Sequence, residues 1–205
     1  VIDPANPQLL QLNEQSMVLK VTNLEQGDAR AAYKSLYMDF RRYKKLKMEV
    51  HAEELEGYNT KDDDLTLFIR IGTDYTYNYY EYEVPLKLTP PGRYNGEIEA
   101  DRYEVWPDAN RIDLSLDLFT NVKLDRDAEM RKAGSTLRIM DIYEQMHQGW
   151  NNNKNRIRIK GTPNLGNVQV MMMGIRNKKR QVNTGPRSVE VWLNELRLSE
   201  FDESG

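Results

Sequence analysis

The sequence predicts a mostly β protein, an antiparallel β-sandwich of jelly-roll type with one or two short helices. Three observations favour this fold class. Apolar and polar residues alternate with period two in several segments, turn-forming residues separate those segments, and no long helical pattern lies between them. Such alternation is typical of strands that place one face on a core and the other in water. A parallel sheet would need a helix between successive strands and is therefore disfavoured.

The first half of the chain opens with residues 1–15, which contain two prolines and show no period. We expect an irregular leader there, followed by a single domain over residues 16–205. Residues 29–40 show no steady alternation and are expected to hold a helical turn or an irregular approach to the next strand. Pro85 falls inside a predicted strand, and since proline cannot donate to a ladder we expect an edge or a bulge there. Alternation predicts strands over 17–21, 46–52, 65–71 and 80–88.

The second half of the chain continues the same pattern. The period lengthens over residues 119–134 and predicts a short surface helix that ends at a glycine. Residues 137–146 fit neither pattern. The apolar parity changes within the last strand, which predicts a bulge near Asn194 or Glu195. Strands are predicted over 112–118, 156–160, 168–175 and 189–198, and long loops, which fit the arches of a jelly roll, over 54–64, 93–110 and 148–155.

Composition excludes several classes of protein. The formal net charge is -3, whereas a general nucleic-acid binder is usually strongly basic, so we expect no nucleic-acid partner. Cysteine is absent, which excludes disulfides, thiolate metal sites and a cysteine nucleophile. No apolar run approaches the ~20 residues of a membrane-spanning helix. The chain starts at Val1 without an initiator methionine or a signal peptide, and we interpret it as a piece of a longer polypeptide.

Side chains that could carry chemistry are few. With two histidines and no cysteine, we expect no transition-metal site and no cofactor, and His51 is expected to be a solvated surface residue. The run Asp62 to Asp64 lacks the spaced ligand order of a calcium loop and is interpreted as a solvated turn. Phosphate loops and nucleophile elbows are missing, so we predict no catalytic residue and no enzyme. Glu81 and Glu83 would serve a glycosidase only if a cleft brought such carboxylates together.

The most unusual stretch is residues 74–82, which is rich in tyrosine. Tyr75, Tyr77 and Tyr79 are the candidate binding residues, because exposed tyrosines stack on sugar rings or on a peptide partner. The alternative is that Tyr77 and Tyr79 pack across strands, as cross-strand aromatic pairs do. Both interpretations stay open for these tyrosines.

Several segments, in order along nearly the whole chain, carry a likeness to a known family. They are NEQS (13–16), GDARAAYK (27–34), DFRRYK (39–44), VHAE (50–53), NYYEYEVPLKLTP (78–90) and VEVWLNELRL (189–198). Together they resemble the SprA/Sov family, the giant outer-membrane translocon of the type IX secretion system in Bacteroidetes.

The resemblance implies a part of a very large β-barrel that passes folded cargo through the outer membrane and supports gliding motility in some species. Outward positions of nearly every predicted strand are charged, which a lipid-facing barrel strand does not allow, so the chain would be a soluble insertion. The implied partners are other secretion-system proteins, secreted cargo and, through the parent chain, the outer membrane. We expect the extracellular side of the cell surface, where barrels keep long insertions.

These observations lead to two functional hypotheses. The first is a non-catalytic structural or interaction domain of the translocon that contributes to pore capping or to contacts with partners and cargo. The alternative is a carbohydrate-binding jelly-roll module, which the strand pattern and the tyrosines favour.

Overall fold

A computed structural model describes residues 16–55, 57, 59–182 and 185–201, so the predicted leader over 1–15 lies outside the described residues. Within these ranges the chain forms ten strands and two α-helices. The strands are β1 (Met17–Leu24), β2 (Ala29–Met38), β3 (Tyr43–Glu54), β4 (Leu65–Gly72), β5 (Tyr79–Pro85), β6 (Ile112–Ser115), β7 (Tyr143–Met146), β8 (Arg156–Lys160), β9 (Val168–Asn177) and β10 (Arg187–Phe201). The helices are α1 (Glu99–Val105) and α2 (Asp117–Met130).

The strands form two sheets that face each other across one apolar core, which confirms the predicted antiparallel sandwich. A four-stranded sheet has the order β1-β10-β3-β6, and a six-stranded sheet has the order β2-β9-β4-β5-β8-β7. Every ladder between these strands is antiparallel. The jelly-roll winding stays a prediction. Alternation places one parity of each inner strand in the core. The core includes Leu46, Met48, Val50, Leu67, Ile69, Ile71, Tyr80, Tyr82 and Val84.

Residues 29–38 correct the first of the expectations, because they form strand β2 rather than a helical turn. This strand pairs with β9 from Ala29 opposite Arg176 to Met38 opposite Val168. Its first seven residues are exposed, so neither face of the strand required an apolar parity. A short 3-10 turn follows at Phe40–Arg42. The missing alternation therefore marks an uncovered strand.

Pro85 lies at the end of a central strand and not on an edge. Strand β5 pairs with β4 on one side, where Pro85 lies opposite Thr66, and with β8 on the other. The β8 ladder ends at Glu83 opposite Arg156, so the proline lies beyond the last pair on that side. The predicted bulge in β10 is confirmed by a register shift after Asn194 and by a φ of 54° at Glu195.

The long segment over 93–110 holds α1, which was predicted as loop. Together with Trp106, this helix covers the outer face of the four-stranded sheet at His51. Nδ1 of His51 lies 2.8 Å from the carbonyl oxygen of Val105, and the ring centroid lies 5.9 Å from that of Trp106. The expectation of a solvated histidine is therefore wrong, since this residue is buried. The helix predicted near 119–134 is α2, and the ambiguous residues over 137–146 include β7.

Candidate functional site

The candidate site lies on the outer face of the six-stranded sheet, where an acidic strand runs between basic ones. Strand β5 presents Glu81 and Glu83 on this face. Register places Glu81 between Arg70 of β4 and Arg158 of β8. Further cations come from β9 and from the residue after it. We call the set Arg70, Glu81, Glu83, Arg158, Arg176 and Lys178 the outer network.

The outer network corrects the expectation that this face is wet. Glu81 is 1% exposed and Glu83 is 0% exposed, although both point away from the core. Arginine side chains cover them by lying flat across the sheet. The guanidinium of Arg70 lies 3.8 Å from the ring centroid of Tyr79, and that of Arg176 lies 4.4 Å from the ring centroid of Phe68. Such stacking excludes water and still leaves the outer edge of each guanidinium at the surface.

Each carboxylate oxygen of the outer network meets at least one cation. Glu81 Oε2 accepts from Nη2 of Arg70 at 2.6 Å, and Glu81 Oε1 accepts from Nη1 of Arg158 at 2.7 Å and Nη1 of Arg176 at 2.9 Å. Glu83 Oε2 accepts from the same two arginines. Its Oε1 lies 2.5 Å from Nζ of Lys178. Four cations thus face two buried carboxylates. The more exposed Glu144 also pairs with Arg158, at 2.5 Å, so the face keeps an excess of positive charge on a protein whose net charge is -3.

Both carboxyl groups are ionised at neutral pH. Burial raises the pKa of Glu83, but the charges and hydrogen bonds of Arg158 and Arg176 outweigh this effect and lower it to about 2. Burial also raises the pKa of Glu81, and hydrogen bonds and charges led by Arg176 outweigh it, so the net shift is downward. A general acid must carry a proton at working pH, so this pair does not suit the glycosidase hypothesis.

The loop over residues 73–78 joins β4 to β5 and is held by Asp74. One carboxylate oxygen of Asp74 accepts from the backbone N–H groups of residues 76–78, at 2.8, 2.5 and 3.2 Å. Burial raises the pKa of Asp74, but these hydrogen bonds outweigh it and the net shift is downward. The side chain of Asn78 accepts from the backbone N–H of Thr162 at 2.9 Å. The loop is therefore fixed both to itself and to the end of β8.

The predicted tyrosines separate into two groups. Tyr75 and Tyr77 are 39% and 57% exposed on this loop. Tyr79 is 3% exposed beneath Arg70, so of the two interpretations left open it is cross-strand packing that applies to Tyr79. Tyr33 of β2, which is 62% exposed, joins the loop with its ring centroid 5.2 Å from that of Tyr75. We call Tyr33, Tyr75 and Tyr77 the exposed tyrosine group, and the binding role of Tyr75 and Tyr77 stays a prediction.

Arg70 connects the tyrosine loop to the outer network. Its Nη1 donates to the carbonyl oxygen of Tyr75 at 2.5 Å, while its Nε and Nη2 donate to Glu81. At the other side of the loop, Nζ of Lys160 lies 5.4 Å from the ring centroid of Tyr77. The tyrosine loop and the outer network therefore form one continuous face of fixed cations and amphipathic rings.

A second surface feature lies on the opposite sheet, between α1 and strands β3 and β10. It is a cleft of about 350 Å³ whose lining includes Glu49, Arg102, Tyr103, Trp106, Arg111 and Glu195. Burial raises the pKa of Glu49, and the charge of Arg111 opposes that shift. The cleft was missed because α1 was predicted as loop. The predicted bulge near Glu195 was the one signal in the sequence for this cleft, because the bulge places Glu195 at the rim of the cleft.

The aspartate run holds its loop in place. Oδ1 of Asp62 accepts from the backbone N–H of Leu88 at 2.8 Å, Asp63 pairs with Lys154 at 2.6 Å, and Asp64 pairs with Arg180 at 2.8 Å. Over the described ranges, no group of three or more His, Cys, Asp or Glu side chains is placed to hold a metal ion. No helix in the described part of the chain has the length and apolar character needed to cross a membrane.

Comparison with protein families relates the chain to a known family. The family model SprA_N, described as motility related/secretion protein, matches residues 1–205. No curated protein matches the chain.

Proposed function

This chain belongs to the SprA_N family of motility-related and secretion proteins, and we propose that it is a non-catalytic interaction domain of an outer-membrane type IX translocon. Its contribution would be to cap the pore or to contact secretion-system partners and cargo. The ordered likeness to the SprA/Sov segments supports the type IX assignment. The observation that carries the interaction role is the face formed by the outer network and the exposed tyrosine group.

The outer network supports this role, because a gain in folding stability does not by itself account for so many buried charges. Buried ion pairs contribute little net stability relative to well-packed apolar side chains. Three arginines and Lys178 around two buried carboxylates do, however, give a rigid array of guanidinium and ammonium donors whose ordering cost is met before a partner arrives. An excess of positive charge on this face favours a partner with an acidic surface.

The exposed tyrosine group supports the same role. Tyrosine supplies a large, stiff and amphipathic contact area, and tyrosine and arginine are enriched where binding energy concentrates in interfaces. Here the rings stand on a loop that Asp74 holds in place, so little conformational entropy remains to be lost on binding.

The experiment that tests the interaction role uses the full-length parent protein in its native cells. The variant combines Tyr33→Ala, Tyr75→Ala and Tyr77→Ala, and the matched control is Tyr94→Ala, a tyrosine that is 36% exposed in the segment before α1. We expect the triple variant to reduce cargo in the medium and crosslinking to secretion components by about tenfold or more, as loss of interface anchors does. Unchanged secretion at normal surface levels of the variant would overturn the proposal.

Sidedness needs its own measurement. We propose the extracellular side, because outer-membrane barrels carry their long insertions there. The chain has no cysteine, so Leu124→Cys on the exposed side of α2 would give this domain a single thiol. Labelling of intact cells by an impermeant maleimide is the expected result. Labelling only after the outer membrane is permeabilised would assign the domain to the periplasm instead.

A second candidate function is carbohydrate binding, which the cleft on the four-stranded sheet favours. Its volume of about 350 Å³ falls in the range of small-ligand sites, and it combines aromatic faces with carboxylate and guanidinium groups. A glycan array with the wild-type chain, Trp106→Ala and the control Trp192→Ala tests this function. Glycan retention that Trp106→Ala alone abolishes would support it, and an array without any bound glycan would exclude it.

A further inference from the structure

Strand β2 is an edge that the sandwich leaves uncovered on both faces. Among the strands that the structure describes, it pairs with β9 alone, and the residues over 29–35 are all exposed. The paired part runs without a bulge from Ala29 to Ser35, and it contains no proline. Proteins usually shorten, twist or cover such an edge, because its unpaired N–H and C=O groups accept a further strand. At the other end of the same sheet, β7 has only four residues.

We propose that β2 is a docking edge, on which an extended acidic segment of a partner protein adds as a further antiparallel strand of the six-stranded sheet. This inference rests on the proposed function as an interaction domain and names the kind of partner. Strand addition supplies main-chain hydrogen bonds for affinity, while alternate side chains supply specificity.

Charge selects the chemistry of the added strand. Arg30 and Lys34 share one face of β2, since they lie opposite Ile175 and Met171 of β9, whose side chains are in the core. Lys34 forms no ion pair with any residue that the structure describes. Arg30 pairs with Asp28 at 3.9 Å, in a pair that is more than half exposed, and donates to the carbonyl oxygen of Ala29 at 3.0 Å. Residues directly opposite in a ladder have Cβ atoms about 5 Å apart. Two carboxylates on one face of the partner strand, with the same spacing as Arg30 and Lys34, would therefore pair with both cations.

The other face of β2 adds an apolar and aromatic requirement. Ala31 and Tyr33 project on the outer face of the sheet, where Tyr33 contacts Tyr75. A β-branched or aromatic side chain on the added strand would pack beside this pair, as cross-strand neighbours do. The partner segment therefore alternates acidic residues with β-branched or aromatic ones.

A second copy of this chain fits the edge less well. Antiparallel pairing of β2 with itself, centred on Ala32, would place Arg30 opposite Lys34. Like charges directly opposite each other destabilise a ladder. The edge thus favours a different chain with the opposite charge over self-association.

The test uses the full 205-residue chain with isotope-labelled amides and defined peptides as probes. One nine-residue peptide alternates glutamate with valine or threonine, a second has lysine in place of glutamate, and a third is the glutamate peptide with N-methyl groups along one edge. We expect the glutamate peptide to slow hydrogen exchange of alternate β2 amides. The lysine peptide and the N-methylated peptide should bind about tenfold more weakly or worse.

Charge reversal checks the assignment of the cations. The double variant Arg30→Glu and Lys34→Glu should reverse the preference and bind the lysine peptide, while the control pair Arg131→Glu and Lys132→Glu on the end of α2 should leave it unchanged. Binding that protects the tyrosine loop but not the β2 amides would overturn the docking edge and leave the proposed function intact. Equal binding of both charged peptides, no binding, or protection of β2 through dimers without peptide would each overturn it as well.

Discussion

Replacing Glu83 with glutamine tests whether the outer network is a coupled, covered unit. The variant leaves four cations around one buried carboxylate, that of Glu81, with the more exposed Glu144 on Arg158. Removing one partner from a buried pair costs about 3–5 kcal/mol. Because Arg158, Arg176 and Lys178 keep 15%, 20% and 35% of their side chains exposed, water can solvate part of the released charge, and we expect a loss of about 2–3 kcal/mol in the free energy of unfolding. A pKa lowered from 4.5 to about 2 corresponds to a similar contribution of about 3 kcal/mol.

The assay is urea unfolding of the wild type, Glu83→Gln and the control Glu144→Gln, followed by tryptophan fluorescence at pH 7. Glu144 pairs with the same Arg158 at 2.5 Å but is 41% exposed, so its loss should cost less than about 1 kcal/mol. Values for the two variants that agree within about 0.5 kcal/mol would refute the coupled, covered network.

The difference in the free energy of unfolding between the wild type and Glu83→Gln should depend on pH in a defined direction. Since folding lowers the pKa of Glu83, its contribution is fully present above its unfolded value near 4.5 and is lost as pH falls toward about 2. The glutamine variant has no such titration. The stability gap between wild type and Glu83→Gln should therefore stay constant above about pH 5.5 and narrow below pH 4.5. A gap that widens in acid would contradict the assigned ionisation.

Two further substitutions test single contacts. Gly72→Ala would place its Cβ 2.1 Å from the carbonyl oxygen of Asn78, so we expect thermal unfolding to show a free energy of unfolding lower by about 2–3 kcal/mol. The control Gly96→Ala, whose Cβ would have nothing within 4 Å, should change the free energy of unfolding by less than about 0.5 kcal/mol. Arg126→Ala would remove a buried guanidinium that donates to the carbonyl oxygen of Gly161 at 2.5 Å. We expect urea unfolding to show a free energy of unfolding lower by about 2–4 kcal/mol, and little change for the control Arg131→Ala, whose side chain is exposed. If a variant and its control lowered the free energy of unfolding equally, the contribution assigned to that contact would be contradicted.

Strands with one covered face were predictable from the sequence because burial selects one parity. In β1 and β3 the apolar parity is the one that meets the core, so period two is visible without any knowledge of the partner strands. Strand β2 escaped because neither of its faces is covered over its first seven residues. Short α1 escaped because its sequence lacks an apolar stripe of its own: none of its residues is buried.

The outer network could not be read from alternation. A period of two indicates which side chains point away from the core, but it does not show whether they meet water or another layer. Arg158 and Arg176 lie 75 and 93 residues from Glu83 along the chain. Only the order of β9, β4, β5 and β8 in the sheet brings these charges together. The sequence alone shows two outward glutamates and several separate arginines, which is the appearance of a solvated face.

The β2 edge and the face formed by the exposed tyrosine group and the outer network lie close enough for one partner to contact both. Neighbouring strands are about 4.8 Å apart, so a strand added to β2 would lie about 14 Å from β4, which carries Arg70. Tyr33 and Tyr75 fill the space between them, with one ring on β2 and the other on the loop after β4. A segment that pairs with β2 and then turns across these rings would reach the outer network. Acidic residues along such a segment would meet cations at both places, whereas a partner confined to the edge would leave the network without a role.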